Sequence, residues 1–357
     1  MSAPVLIMAG GTGGHVFPAL AVATELARRD VPVVWLGTRR GIESRLVPAA
    51  GLPIEWLDVG GVRGKGLLTR LLAPFSLLRA VWQARGVLHR VRPRAVLGMG
   101  GYAAGPGGIA AWLARVPLVI HEQNSVAGLT NRWLARVADH VLCAFAEAFG
   151  RGVEARVVGN PVRAGLFAQP SPATRYARHG ALRLLVLGGS QGARALNEAV
   201  PWALASLDAP CEVRHQAGQA TLEAAQAAYR SAGVAAQIVP FIDDMADAYA
   251  WAELVVCRAG ALTVAELAAV GLPAVLVPFP HAVDDHQTGN ARALVEAGAA
   301  VLLPESSLTT DTLAAALARL MERRDGLQAM AEAARRFARP EAAAAVADVL
   351  LAPEVDA

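Results

Sequence analysis

The sequence predicts an α/β protein of two tandem Rossmann-like domains, each a doubly wound parallel sheet, the pair facing a cleft. Two observations carry this. A short apolar strand, a glycine-rich turn and a helix open the chain, and the same unit returns later, with Gly188 answering to Gly10 at an offset of 178 residues. Elsewhere short apolar runs alternate with helical spacing, which is the pattern of a parallel sheet with helices on its faces.

Taken in order, Val5 to Met8 reads as a strand, Gly10-Gly11-Thr12-Gly13-Gly14-His15 as a turn, and Pro18 to Arg29 as a helix with proline near its start. Strands follow at Val31 to Leu36, Ala95 to Leu97 and Leu118 to Ile120, with helices such as Gly107 to Ala114 between them. The pattern restarts at Leu184 to Leu187, turns through Gly188-Gly189-Ser190-Gln191-Gly192, and enters a helix from Ala193 through Ala205. Later strands fit at Cys211 to Arg214, Ala236 to Val239, Leu254 to Cys257 and Ala274 to Val277. Turn formers cluster from Asn160 to Pro172. The expected domains are therefore 1–163 and 164–339, with a last helix in 340–357 packing back toward the first.

A chain of 357 residues that is 54% hydrophobic and 18% charged is long and apolar enough for two cores. Cys143, Cys211 and Cys257 are far apart and outside any metal-ligand spacing, so they read as buried thiols in a reducing compartment. No basic and apolar leader opens the sequence, and no uncharged run reaches the roughly 20 residues of a spanning helix. A cytoplasmic, non-integral protein is expected. The basic pI does not point to nucleic acid, because 32 of 33 basic residues are arginine, with Lys65 the sole lysine, which looks like codon bias. Distribution says more: residues 1–163 carry 19 basic against 9 acidic side chains, and 164–357 carry 14 against 21. Halves of opposite charge face different partners.

A glycine turn opening a helix offers backbone N–H groups and a positive dipole end to an anion. Tight strand-to-helix turns need glycine anyway, so the structural alternative stands beside the phosphate-binding one. A dinucleotide fingerprint fails because Val16 occupies its third glycine position and no ribose-binding acid ends the second strand at Thr38-Arg39-Arg40. A P-loop fails because Gly66 follows Gly64-Lys65 and Val59 takes its first glycine position.

The segments Gly10 to Ala19, Gly98-Met99-Gly100-Gly101-Tyr102, His121-Glu122-Gln123-Asn124, Gly159-Asn160-Pro161-Val162-Arg163, Gly188 to Ala193 and Asp285 to Ala291 together resemble the MurG family of peptidoglycan N-acetylglucosaminyltransferases. The resemblance runs from about residue 4 to 340 and implies the GT-B fold. It implies transfer of N-acetylglucosamine from UDP-N-acetylglucosamine, a substrate rather than a cofactor, to the muramyl 4-hydroxyl of lipid I, with inversion, giving lipid II. The alternatives are a UDP-sugar epimerase, a GT-B transferase with another acceptor, and a nucleotide-binding regulator.

By the same resemblance, donor contacts fall on Thr12, Gly13, Gly14, Asn124, Arg163 and Ser190, then on Ile242, Ala261, Leu262, Thr263, Val264, Ala265, Glu266 and Gln287. Arg163 suits a diphosphate because its fork matches two anionic oxygens. Glu266 suits two ribose hydroxyls, although Thr263-Val264-Ala265-Glu266 also reads as a capping box. His15 reads either as a helix cap or interdomain filler, or as the general base, or as a donor to the departing diphosphate. The turn Gly100-Gly101-Tyr102 is expected to cradle the lipid diphosphate. The pairs Asp243-Asp244 and Asp284-Asp285 lack D-x-D spacing, so no metal is expected.

From Val59 through His121 no acidic residue occurs. Leu68, Leu72, Phe75, Leu78 and Trp82 recur there at near-helical spacing, broken by Pro74, with Arg79 and other arginines at the flanks. An apolar patch ringed by arginine suits an anionic headgroup boundary, and an ordinary crossover helix over the sheet is the alternative. The expected location is the cytoplasmic face of the bacterial inner membrane, peripherally bound, with cell-wall synthesis and division proteins as partners.

Overall fold

The computed structural model describes residues 2–59, 67–189, 192–207 and 209–352, and of residues 67–74 it describes the backbone alone. The chain divides into two compact units, Met1–Arg163 with Arg339–Ala357, and Ala164–Ala338.

The first unit runs β1 (Val5–Met8), α1 (Gly13–Arg28), β2 (Val33–Gly37), α2 (Glu43–Ala49), β3 (Ile54–Trp56), α3 (Leu67–Val91), β4 (Ala95–Gly98), α4 (Ala104–Leu113), β5 (Leu118–Glu122), α5 (Leu129–Leu134), β6 (His140–Cys143) and β7 (Arg156–Val157). Its seven-stranded sheet has the order β3-β2-β1-β4-β5-β6-β7, every pair parallel. Alternate side chains of a strand face opposite sides of the sheet. Val5 and Ile7 join Val16, Val22 and Leu26 of α1 on one side. Leu6 and Met8 join Ala84 and Val87 of α3, Ala110 of α4 and Leu134 of α5 on the other.

The second unit continues with α6 (Pro172–Tyr176), β8 (Leu182–Leu187), α7 (Arg194–Ala205), β9 (Cys211–Gln216), α8 (Leu222–Ala232), β10 (Gln237–Val239), α9 (Met245–Trp251), β11 (Leu254–Cys257), α10 (Ala261–Val270), β12 (Ala274–Leu276), α11 (His286–Glu296), β13 (Ala300–Leu302), α12 (Thr310–Met321) and α13 (Arg324–Phe337). Its parallel sheet has the order β10-β9-β8-β11-β12-β13. The last helix, α14 (Ala342–Leu351), belongs to the first unit, where Val346, Ala347 and Leu350 pack with the α1 side chains. Arg29, which follows α1, pairs there with Asp348.

The repeat is visible in these orders. In each sheet the chain winds outward from a first strand, β1 or β8, and then crosses to its other side, to β4 or β11. That reversal is a topological switch point, and ligands of such sheets bind outside the carboxyl ends of the strands there.

Two helices and one cysteine depart most from the sequence reading. Helix α1 begins at Gly13 rather than Pro18, so the glycine turn supplies its first turn and Pro18 lies inside it, leaving the Gly14 carbonyl without its usual i+4 donor. Helix α3 runs unbroken through Pro74. The cost of a proline in a helix interior, about 3 kcal/mol, is offset by burial of Ala80, Ala84, Val87 and Leu88 further along. Cys211 is only half-buried, being near the start of β9, while Cys143 and Cys257 are buried. Burial pushes the Cys143 thiol up to about 11 and that of Cys257 up to about 12.

Candidate active site

At the switch point of the first unit, the turn after β1 meets the turn after β4. Gly100 and Gly101 have φ of +99° and +84°, the left-handed region that glycine enters without penalty. They are also required by contact: a Cβ on Gly101 would strike the Gly10 backbone, and one on Gly100 would lie 2.8 Å from the His15 ring. The two expected recognition turns are thus packed backbone to backbone, with His15 between them.

The glycine turn is held from below by a side chain the sequence reading did not single out. Glu43, fully buried at the start of α2, accepts the Gly11 N–H at 2.9 Å, the Thr38 N–H at 3.0 Å and the Thr38 hydroxyl at 2.7 Å. A Cβ on Gly10 or Gly41 would collide with its carboxylate. Thr12 occupies the N-cap position of α1 without capping it by its hydroxyl, so the N–H groups of Gly13 and Gly14 are not taken by that side chain.

His15 does not cap the helix. Its Nδ1 lies 2.8 Å from Gln123 Oε1, and Gln123 in turn contacts His121. Glu122, also buried, accepts from the Asn124 N–H and amide, from the Gly128 N–H and from Asn131, which fixes the segment after β5. Asn160 donates to the Gln123 carbonyl at 2.9 Å, bringing the Asn160-to-Arg163 turn alongside. The Arg163 guanidinium stands 5.8 Å from the centre of the Phe17 ring on α1. The first unit therefore gathers Thr12, Gly13, Gly14, His15, Gly100, Gly101, Asn124 and Arg163 at the carboxyl ends of its strands. Tyr102 is exposed beside them.

In the second unit the turn after β8 carries Gly189 and Gly192 at positive φ. Ser190 lies outside the described residues. Across the switch point, α10 starts at Ala261 with Gly260 as its N-cap. Thr263 and Glu266 are therefore the third and sixth residues of the helix, and the capping-box reading is overturned: a glycine in extended conformation had already ended the strand-to-helix turn. Glu266 is instead buried and accepts the Tyr249 hydroxyl at 3.0 Å. Val264 is buried, while Leu262, Thr263 and Ala265 are half-buried along the same helix. Asn290 of α11 bonds the Ala259 carbonyl at 3.1 Å, tying that turn to the start of α11, where Gln287 accepts the Phe279 N–H at 2.9 Å. Ile242 is half-buried in the segment between β10 and α9. Arg258, which the sequence reading passed over, pairs with Glu305 and donates to the Val277 and Pro278 carbonyls.

Among the described residues, no group of three or more His, Cys, Asp or Glu side chains is placed to hold a metal. Asp244 caps α9 through the Asp247 N–H, and Asp285 accepts from the Thr288 hydroxyl.

The helices covering one side of the first sheet carry exposed apolar side chains. On α3 these are Phe75, Leu77, Leu78 and Trp82, the last 77% exposed. Trp112 and Leu113 at the end of α4, and Leu129 and Trp133 on α5, add to them, and the sequence reading missed all four because α4 and α5 are too short to show periodicity. Arg79 pairs with Asp58, just before the acid-free stretch. The side chains of Leu68 and Leu72 lie outside the described residues. Among the described residues no helix is long and apolar enough to cross a membrane.

Two sheets of this winding, each with a glycine turn at its switch point, form an architecture shared by glycosyltransferases and UDP-sugar epimerases. The Glycosyltransferase family 28 N-terminal domain matches residues 5–143 and the family 28 C-terminal domain residues 183–346, and the chain belongs to this family. A curated relative from Alkalilimnicola ehrlichii, 62% identical over 355 residues and covering 98% of this chain and 99% of its own, is named UDP-N-acetylglucosamine--N-acetylmuramyl-(pentapeptide) pyrophosphoryl-undecaprenol N-acetylglucosamine transferase. The crystal structure of MurG from Acinetobacter baumannii superposes with a TM-score of 0.84 at 45% identity, covering 98% of this chain and 99% of that one. A UDP-GlcNAc 2-epimerase from Neisseria meningitidis shares the fold, with a TM-score of 0.69 at 12% identity over 97% of this chain and 99% of its own.

Proposed function

We infer that this protein transfers N-acetylglucosamine from UDP-N-acetylglucosamine to the muramyl 4-hydroxyl of undecaprenyl-diphosphate-linked N-acetylmuramyl-pentapeptide, lipid I, forming lipid II. The observation that carries this is the 62% identity over nearly the whole of both chains to a relative of that name. The fold alone does not separate transferase from epimerase, since a UDP-GlcNAc 2-epimerase shares it with a TM-score of 0.69.

In the reaction, the acceptor oxygen bonds to the anomeric carbon as the bond from that carbon to the UDP oxygen breaks, the electron pair leaving with UDP. The hydroxyl proton passes to His15 Nε2. Attack opposite the leaving group inverts the anomeric centre. The proposed donor residues are Thr12, Gly13, Gly14, Asn124, Arg163, Ser190, Ile242, Gln287 and Ala261 to Glu266. Helix N-termini and the Arg163 fork stabilise the charge that develops on the departing diphosphate, so the reading requires no metal. Gly100, Gly101 and Tyr102 are proposed to meet the acceptor diphosphate. Leu68, Leu72, Phe75, Leu78 and Trp82, with Arg79, are proposed to seat the protein on the anionic inner face of the plasma membrane.

Incubation with labelled UDP-N-acetylglucosamine and a lipid I analogue, with and without EDTA, tests this. Label should enter the lipid-linked product equally in both. No transfer would overturn the acceptor reading, and transfer lost in EDTA and restored by magnesium would overturn the metal-free one.

A further inference from the structure

We propose that Gln123 and His121 are positioning residues that fix the tautomer of His15, so that Nδ1 carries the proton and Nε2 presents its lone pair. The proposal deepens the reading of His15 as the base that accepts the acceptor's proton.

Each link is forced by the one before it. The Gly159 carbonyl only accepts, and it lies 2.9 Å from His121 Nε2, so that nitrogen donates. His121 is fully buried, and burial pushes its imidazole down to about 4, so the ring is neutral near pH 7 and its Nδ1 is an acceptor. The Gln123 atom facing that Nδ1 at 3.1 Å is therefore the amide nitrogen. A second contact gives the same orientation independently: the same atom lies 2.9 Å from the His121 carbonyl, which accepts only. Gln123 Oε1 is left facing His15 Nδ1 at 2.8 Å, and a carbonyl oxygen there requires a proton on Nδ1. In the neutral ring the lone pair is then on Nε2.

The surroundings hold this arrangement. Asn160 bonds the Gln123 main chain. The Gly100 turn lies so close to the His15 ring that a Cβ would be 2.8 Å away. The ring is thus clamped between an amide that dictates its tautomer and a turn that dictates its plane. When Nε2 takes the acceptor proton, Nδ1 keeps its own and the hydrogen bond it donates to Gln123 Oε1 persists, so nothing in the relay has to rearrange during transfer.

The test uses the full chain labelled with 15N-histidine, the His15 signals being assigned by their loss in His15→Asn. Two-bond proton–nitrogen correlations at neutral pH should show Nδ1 protonated in the wild type. In Gln123→Met, similar in length but without polar atoms, the ring should shift toward the Nε2-protonated tautomer. There kcat should fall about tenfold to a hundredfold, as it does when the outer partner of a metal-ligating histidine is removed, with KM for UDP-N-acetylglucosamine nearly unchanged. Gln123→Glu should keep a proton on His15 Nδ1, because its carboxylate accepts there, while losing the two bonds that the amide nitrogen donates to His121. A wild-type ring protonated on Nε2 would overturn the relay. An unchanged kcat in Gln123→Met despite the tautomer shift would overturn its catalytic role. Full turnover in His15→Asn, with the wild-type signature intact, would instead remove the base reading and leave the tautomer assignment standing.

Discussion

Glu43 Oε2 accepts the backbone N–H of Gly11 at 2.9 Å, so a buried carboxylate from α2 holds the glycine turn that follows β1. The same group also takes both donors of Thr38, at the end of β2. This one side chain therefore sets the spacing between two strand ends. Glu43→Ala leaves three donors unsatisfied, each worth about 1–3 kcal/mol when buried. A loss of at least about 2 kcal/mol in urea unfolding is expected, together with lower turnover. A midpoint indistinguishable from wild type would show that water replaces the carboxylate without cost.

Gly100→Ala should nearly abolish turnover while leaving UDP affinity intact. The new methyl group meets the His15 ring at 2.8 Å, and φ of +99° is strained for alanine. Titration with UDP alongside kcat separates the two effects. Weaker UDP binding equal to the loss of turnover would contradict the assignment of this turn to the acceptor.

Tyr249→Phe should weaken UDP binding several-fold, because the Tyr249 hydroxyl donates to Glu266 Oε2 and fixes the carboxylate proposed to meet the ribose. Glu266→Ala should weaken it further, by at least about tenfold, or 1.4 kcal/mol. Calorimetry with UDP decides this. Unchanged dissociation constants in both variants would leave the pair a purely structural one.

Stability should fall as the pH drops below about 6.5. Burial lowers the imidazole of His121 to about 4 and that of His215 to about 3, so the folded chain keeps both neutral where the unfolded chain binds protons. Stability is then fully present above about pH 6.5 and is lost as the pH falls from there toward those values. His121 alone accounts for up to about 3 kcal/mol, at roughly 1.4 kcal/mol per pKa unit. Urea midpoints at pH 7.5 and 5 should differ less in His121→Asn than in wild type, and an equal drop would contradict this.

Replacing Phe75, Leu78 and Trp82 by Ser should cut sedimentation with anionic vesicles while sparing UDP affinity, since all three are largely exposed and make little of the core. Added salt should weaken the wild-type association as well, by screening the arginines. Unfolding of the variant would mean that these side chains belong to the core.

Much of the fold was legible because it rests on local pattern. Leu184 to Leu187 and the glycines after them repeat Val5 to Met8 and theirs, and parallel strands buried on both sides read as apolar runs. The strands β3, β6, β7 and β13 were not singled out, being two to four residues long and near or at sheet edges. The site was legible where glycine and motif spacing mark it, at Gly10 to His15 and Gly98 to Tyr102. Its supports were not. Glu43 and Tyr249 act through burial and contacts with residues distant in sequence, and a lone acid after a turn looks the same whether solvated or buried. Glu266 shows the converse: a capping-box spacing is visible in sequence, but the helix start that would give it meaning is set by Gly260.

The most direct measurement is the structure of the product formed by the full chain from UDP-N-acetylglucosamine and a lipid I analogue, by mass spectrometry and NMR. One added N-acetylhexosamine is expected, β-linked to the muramyl 4-oxygen, with UDP released in equal amount. A UDP-sugar epimerised at its second carbon, or an α-linked or acceptor-independent product, would contradict this.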